Sequence, residues 1–126
     1  MRKLFRMLTL SASVVTLTVV AGMSASQAAD EAKVSEEALA KGKEITFNQS
    51  KGNCLACHMI TGGELPGNIG PPLIAMKARF PDRAVLREQI ADARIKNPNT
   101  IMIPFGPHQV ISEEEIDLVT DYVHSL

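Results

Sequence analysis

The chain has 126 residues, of which 13 are basic and 14 acidic, and it contains two cysteines and no tryptophan. A chain of this length makes one small domain with little core to spare. Its near-neutral charge gives no basis for a nucleic-acid partner or an anionic-membrane partner. Two cysteines also leave a zinc site of the usual kind without its second pair of ligands.

The first 28 residues have the three parts of a cleaved secretory signal. Three basic residues precede an apolar run over 7–22, and small residues follow over 24–29. We expect cleavage after Ala28, which leaves a periplasmic domain of residues 29–126 with no membrane segment. The alternative is an uncleaved anchor, but the run is short for a bilayer and carries five hydroxyl side chains. The mature chain keeps 10 basic and 14 acidic residues, a net charge of −4.

The chain in order predicts an all-α domain of about three main helices. The first helix begins after an N-cap at Ser35 and extends to about Asn48, and Gly42 within it indicates a close helix crossing. The second begins at 81–82 and ends at 97–98, where an Asn-Pro pair stops it. Its predicted buried stripe consists of Val85, Leu86, Ile90 and Ala93.

Two irregular segments rich in proline and glycine lie on either side of the second helix. Residues 61–73 must form a loop that wraps around another group, and 73–78 make at most a short helical turn. Residues 97–111 form an apolar loop whose side chains should face a buried surface. Ser112 and Glu115 then make a capping box that begins the terminal helix, whose inner face is Ile116, Val119 and Val123. Such an arrangement is typical of a small domain folded around a cofactor.

The pentapeptide at 54–58 is Cys-Leu-Ala-Cys-His. This spacing lets Cys54 and Cys57 form thioethers with the two vinyl groups of one haem while His58 reaches its iron. We therefore predict one covalently bound haem c. The alternatives are a dithiol redox pair, for which the expected βαβ pattern is missing, and half of a zinc site.

The second axial ligand of that haem is less directly specified. Met102 is our prediction, because it lies in the apolar loop that should cover the porphyrin. The other candidates are His108 and Met76, whereas Met59 adjoins the first ligand, and His124 belongs to the terminal helix at a solvated position. Thioether sulfur favours ferrous iron, so a His/Met pair makes a six-coordinate electron carrier of raised potential. An open position would instead indicate a ligand binder or a peroxidase.

Two further interpretations concern the surroundings of the haem. The Pro71 carbonyl is placed to accept a hydrogen bond from His58, which would fix the tautomer of the imidazole; the alternative is a merely rigid loop. Arg83 and Arg87 share one helix face, where they serve as a docking patch, as partners of the haem propionates, or simply as a solvated surface. His108 is expected in an exposed turn.

Three blocks of sequence, at 52–58, 67–73 and 97–106, followed by the capped segment at 111–116, carry a resemblance to class I cytochromes c. The chain most resembles the SoxX family, the monohaem subunits of the SoxAX cytochromes of bacterial sulfur oxidation. One departure is Ile103, where the family pattern has proline after the ligand methionine.

The resemblance implies a heterodimer with a SoxA-like cytochrome subunit that holds the catalytic cysteine, so this chain has no catalytic residue of its own. It implies a complex of the L-cysteine S-thiosulfotransferase class, which oxidatively couples thiosulfate to a cysteine of a SoxYZ-like carrier and passes electrons to a downstream cytochrome. Our interpretation of the residues agrees, because a chain without a free thiol can only accept the electrons. The alternatives are a free-standing periplasmic electron shuttle and a five-coordinate haem enzyme.

Overall fold

The computed structural model describes residues 34–126, so the predicted signal segment and its cleavage site lie outside the described residues. Within this range the chain is helical and has no strand, which confirms the all-α prediction. The four helices are α1 (Glu36–Phe47), α2 (Met76–Arg79), α3 (Arg83–Ala91) and α4 (Glu113–His124). The two 3₁₀ turns are Cys54–Ala56 and Ala93–Ile95. Across 34–126, no helix is long and apolar enough to cross a membrane.

The helices begin where side chains can accept hydrogen bonds from otherwise unpaired backbone N–H groups. Ser35 accepts from the amide of Ala38 at 3.1 Å, and Asp82 caps α3 in the same way. Ser112 and Glu115 bond each other's backbone N–H groups, so the predicted capping box is present at the start of α4. These local bonds fix the starts of the three longer helices.

The α1–α4 crossing is the most extensive packing between helices, and Gly42 permits it. A Cβ atom at Gly42 would lie 2.1 Å from the carbonyl oxygen of Leu118, so the predicted close crossing is confirmed. Phe47 and Tyr122 extend the contact edge to face, with ring centroids 6.2 Å apart. The core formed around it includes Ile45, Leu86, Ile90, Ile116, Val119 and Val123, all buried.

Helix α3 is shorter than predicted and packs differently. It ends at Ala91 because the extended backbone of Asp92 interrupts it and the Asp92 carboxylate caps the following 3₁₀ turn. Ala93 is buried as expected, but it belongs to that turn. Val85 is 40% exposed, so its place in the predicted buried stripe is wrong; α3 faces the core through its two buried residues, Leu86 and Ile90.

Arg83 and Arg87 join α3 to α4 and do not form a free solvated surface. Arg83 Nε lies 2.5 Å from Asp121, and Arg87 Nε lies 2.8 Å from Asp117. Arg87 also reaches Glu113 at 2.8 Å. Because these carboxylates take up both guanidinium groups, the interpretation of the two arginines as simply a solvated surface is replaced by an ion-pair network between helices. Their roles as a docking patch or as partners of the haem propionates stay predictions.

Candidate functional site

The Cys-Leu-Ala-Cys-His segment folds into a tight turn directly after a close approach to α1. Asn53 takes a left-handed conformation, with φ of 47°, and the 3₁₀ turn Cys54–Ala56 follows. The amides of Cys57 and His58 both donate to the carbonyl of Cys54, at 3.2 and 2.8 Å. This turn directs both thiols and the imidazole into one cleft.

The cleft has a volume of about 450 Å³, and an apolar inner cavity of about 150 Å³ adjoins it. Cys54, His58 and Met102 line both spaces. The inner cavity is otherwise lined mainly by apolar side chains, among them Leu73, Met76, Phe80, Leu86, Ile90, Phe105, Ile111, Val119 and Val123. The volume of the cleft lies within the range of about 300–1,000 Å³ that is typical of ligand and cofactor pockets.

The imidazole of His58 is held by the loop that the sequence placed around it. His58 Nδ1 lies 2.7 Å from the carbonyl oxygen of Pro71. Because a carbonyl can only accept, Nδ1 carries the proton and Nε2 keeps its lone pair for a metal. The predicted contact of Pro71 with His58 is therefore present in the structure.

The loop also follows the Cys-Leu-Ala-Cys-His segment through three backbone hydrogen bonds. The amides of Gly67, Gly70 and Leu73 donate to the carbonyls of residues 55, 57 and 59, at 2.7, 2.8 and 2.9 Å. Every third residue of the loop thus bonds every second residue of the segment. This ladder explains why residues without helix or strand geometry keep a fixed position beside His58.

Burial determines the protonation state of one of the two thiols. It raises the pKa of Cys54 to about 11, so that side chain is a neutral thiol near pH 7. A dithiol redox pair needs a thiolate of lowered pKa. Cys54 is therefore not the reactive thiolate that a dithiol redox pair would need.

The candidates for a second ligand occupy different environments. Met102 is half-buried in the cleft, where its amide bonds the Thr100 hydroxyl at 3.1 Å. Met76 is 2% exposed within the core, as expected for a filler, although its sulfur also borders the cavity and accepts a hydrogen bond from Arg79 at 3.3 Å. His108 is exposed, as expected, and Met59 is 47% exposed. Ligation by Met102 stays a prediction.

His124 and two isoleucines differ from expectation. His124 is half-buried and bonds the Phe80 carbonyl through Nε2 at 2.9 Å, so its solvated placement was wrong. Phe105 is buried as predicted, whereas Ile101 and Ile103 are 77% and 49% exposed and border the mouth of the cleft. A group that fills the cleft would cover the exposed parts of these two side chains.

Sequence reasoning missed two residues next to the His58 loop. Arg79 donates to the carbonyl of Pro72 at 2.8 Å. The ring of His58 also lies directly against the backbone of Gly70. The glycine directly before the Pro71-Pro72 pair was the available signal, but close approach of a ring to backbone depends on the tertiary arrangement.

Comparison with known proteins identifies the class to which this fold and site belong. Residues 37–123 match the family model described as cytochrome C oxidase, cbb3-type, subunit III. The chain belongs to this family of cytochrome c domains, whose cofactor is haem. The two thiols, the imidazole and the apolar cleft fit that cofactor.

The chain is also similar to two individual proteins. The chain is similar to the crystal structure of SoxXA from P. pantotrophus, with 26% identity and a TM-score of 0.62 over 68% of this chain and 79% of that one. It is 35% identical over 75 residues to an uncharacterized lipoprotein of Aquifex aeolicus (strain VF5). That match covers 59% of this chain and 36% of the lipoprotein, so the chain spans about a third of that relative. The chain is a SoxX-like cytochrome c, as the sequence predicted.

Proposed function

We propose that this chain binds one haem covalently through Cys54 and Cys57, with His58 and Met102 as axial ligands. The observation that carries the proposal is a single cleft that receives both thiols, an imidazole with Nε2 free, and a thioether. The other side chains around its inner part are mainly apolar. When bound, haem supplies reversible one-electron redox chemistry.

Each residue then has a separate task. The two cysteines hold the group in place, so it is not lost during turnover. Pro71 keeps the proton on Nδ1 and makes the imidazole of His58 a stronger donor. Met102 supplies a soft, neutral sulfur that favours ferrous iron and closes the site to small ligands. These roles describe an electron relay.

We infer that the relay serves a periplasmic complex of the SoxAX type, in which thiosulfate is oxidatively coupled to a cysteine of a carrier protein. The similarity to SoxXA supports this assignment. Forming a sulfur–sulfur bond oxidatively requires a reactive thiol and an electron acceptor. With both cysteines of this chain committed to thioethers, the reactive thiol lies on a SoxA-like partner subunit, which forms a heterodimer with this chain. A SoxYZ-like carrier and an electron-accepting cytochrome bind transiently.

The test is to purify the exported protein with whatever binds it and to measure its mass and visible spectrum. We expect a mass greater than that of the mature polypeptide by one haem, together with a stable second haem-bearing chain. A colourless product of bare polypeptide mass would contradict the haem proposal. A haem-bearing monomer that reduces several acceptors would contradict the complex and support the free-standing shuttle.

Paired substitutions identify the second ligand. Met102→Leu should abolish the sulfur-to-iron charge-transfer band of the ferric protein, because leucine keeps the side-chain volume but removes the sulfur. Met76→Leu is the matched control and should keep the band, since Met76 is packed in the core. A band that survives Met102→Leu and disappears in Met76→Leu would show that Met76, and not Met102, is the second ligand.

A further inference from the structure

The imidazole of His58 packs on backbone at a point where no side chain fits. A Cβ atom added to Gly70 would lie 2.4 Å from Cε1, 2.6 Å from Nδ1 and 2.9 Å from Nε2 of His58. All three distances are shorter than van der Waals contact between such atoms, which is about 3.5 Å or more. The ring therefore occupies the space that any other residue at position 70 would need.

Neither side of this contact can easily move away. The amide of Gly70 donates to the carbonyl of Cys57 at 2.8 Å, which ties its backbone to the haem-binding segment. On the other side, His58 Nδ1 bonds the Pro71 carbonyl at 2.7 Å. A side chain at position 70 must displace the ring and stretch that hydrogen bond, or else shift the loop.

Backbone conformation does not explain the glycine. Among the described residues, Gly62 is the one glycine with a positive φ, at 82°, so alanine can adopt the backbone of Gly70 without strain. The other crowded glycines of the loop, Gly63 and Gly67, have contacts different from those of Gly70. A Cβ atom at Gly63 would meet the flexible end of Leu55 at 2.3 Å, and one at Gly67 would meet the backbone of Ala56. Of these loop glycines, Gly70 is the one whose missing side chain makes room for the imidazole.

We propose that Gly70 is a positioning residue for His58, which holds the imidazole plane in one orientation and keeps the Nδ1 hydrogen bond short. This inference rests on the proposed haem site. A strong Nδ1 bond makes the imidazole more basic and so favours ferric iron. Gly70→Ala should therefore rotate the ring, weaken the bond and raise the reduction potential.

The experiment compares Gly70→Ala with Gly63→Ala in the purified haem-bearing protein. Gly63 is a matched control because it belongs to the same loop and its added Cβ is equally crowded, but by Leu55 and not by the ligand. For Gly70→Ala we expect altered ferric g-values, a raised potential, and solvent exchange of the His58 Nδ1 proton faster by about tenfold. Gly63→Ala should keep all three at their original values. A folded Gly70→Ala protein with unchanged g-values, exchange and potential would overturn the proposal.

A second variant covers the case in which Gly70→Ala does not fold or bind haem. Adding Pro71→Ala relaxes the proline restriction and lets the loop yield while the carbonyl is retained. Recovery of haem with altered g-values supports the ring contact, and failure to recover counts against it. If the original protein carries no haem, the proposed function fails first; if it carries haem on His58 but Gly70→Ala leaves the ligand unchanged, only this inference fails.

Discussion

The α1–α4 crossing and the two loops that border the cleft are stabilised in different ways. These cleft loops are residues 61–73 and 97–111. At the crossing the chain completes its own packing: Gly42 touches Leu118, and the buried hydroxyls of Thr46 and Thr120 bond carbonyls one turn back at 2.7 Å. The cleft loops keep apolar side chains at the surface, with Ile101 77% exposed. Their order comes from the backbone bonds that tie them to neighbouring segments.

The crossing is therefore stabilised by burial within the polypeptide, whereas the cleft loops need a bound group to cover their apolar side chains. Apolar burial contributes about 25 cal/mol for each Å² removed from water, so the crossing is stabilised by its own contacts. The loops gain little of this energy while their isoleucines remain at the mouth of the cleft. The helices should therefore form a frame that outlasts the loops when haem is withheld.

The largest expected effect comes from removing both thioether attachments. In Cys54→Ser/Cys57→Ser we expect a colourless protein that is less stable by about 4 kcal/mol or more, because a group that binds only the native state adds its binding energy to folding. Hydrogen exchange should become fast over residues 61–73 and 97–111 first. Protection of α1 and α4 should be lost last.

Chemical denaturation of the same variant at two haem concentrations provides the control. If free haem restores stability without restoring covalent mass, binding and not attachment stabilises the loops. If the loops exchange no faster than α1 and α4, the two regions form one cooperative unit and haem does not stabilise the loops separately.

The crossing itself is tested by Gly42→Ala. In an ordinary helix this substitution stabilises by about 1 kcal/mol, but here the added Cβ would lie 2.1 Å from the Leu118 carbonyl oxygen. We expect a net loss of about 2 kcal/mol, because overpacking costs up to about 3 kcal/mol and the gain in helix propensity offsets about 1 kcal/mol of it. The measurement is urea denaturation of the holoprotein. Gly106→Ala is the control, because its nearest neighbour lies 3.5 Å away and its stability should hardly change. Equal stability of the two variants would show that the crossing can relax.

The difference between local and tertiary interactions also explains which features could be predicted from the sequence alone. Helix starts were predictable at Ser35 and Ser112 because capping is local chemistry. The Cys-Leu-Ala-Cys-His motif was likewise local, and its two thiols and imidazole enter one cleft. The end of α3 at Asp92 was missed because a side-chain cap competed with the helical pattern. The contact of His58 with Gly70 was missed because it depends on where two loops meet.

Acid should weaken the junction between α3 and α4 inside the helical frame. Hydrogen bonding from Arg87 is the main cause that lowers the pKa of Asp117. A carboxyl whose folded pKa is lowered stabilises the protein above its unfolded pKa of about 4, and this stability is lost as pH falls through the folded pKa. We expect Asp117→Asn to reduce stability near pH 7 by about 1 kcal/mol or less, since the group is partly exposed.

Measuring the pH dependence of unfolding from pH 7 to pH 2 separates this effect from simple loss of packing. The Asp117→Asn protein should approach the original protein in stability as acid protonates the carboxylate. Glu37→Gln, which breaks an isolated surface pair with Lys41 on α1, serves as the control and should change the profile less. A constant difference at all pH values would show that the charge of Asp117 contributes nothing to the α3–α4 junction.

The smallest expected effect concerns strain at the boundary between the cleft loops and α2. Ala75 has φ of 50° and ψ of 40°, a left-handed conformation that costs a non-glycine residue about 1 kcal/mol. Ala75→Gly should remove this strain and, after the greater entropy of glycine in the unfolded chain, stabilise by about 0.5 kcal/mol or less. Ala78→Gly, three residues further along in the helical conformation of α2, should destabilise by about 0.5–1 kcal/mol. Opposite signs in the two variants would place the strain in the loop backbone, whereas a loss of stability in both would mean that the strain at Ala75 is smaller than the entropic cost of glycine.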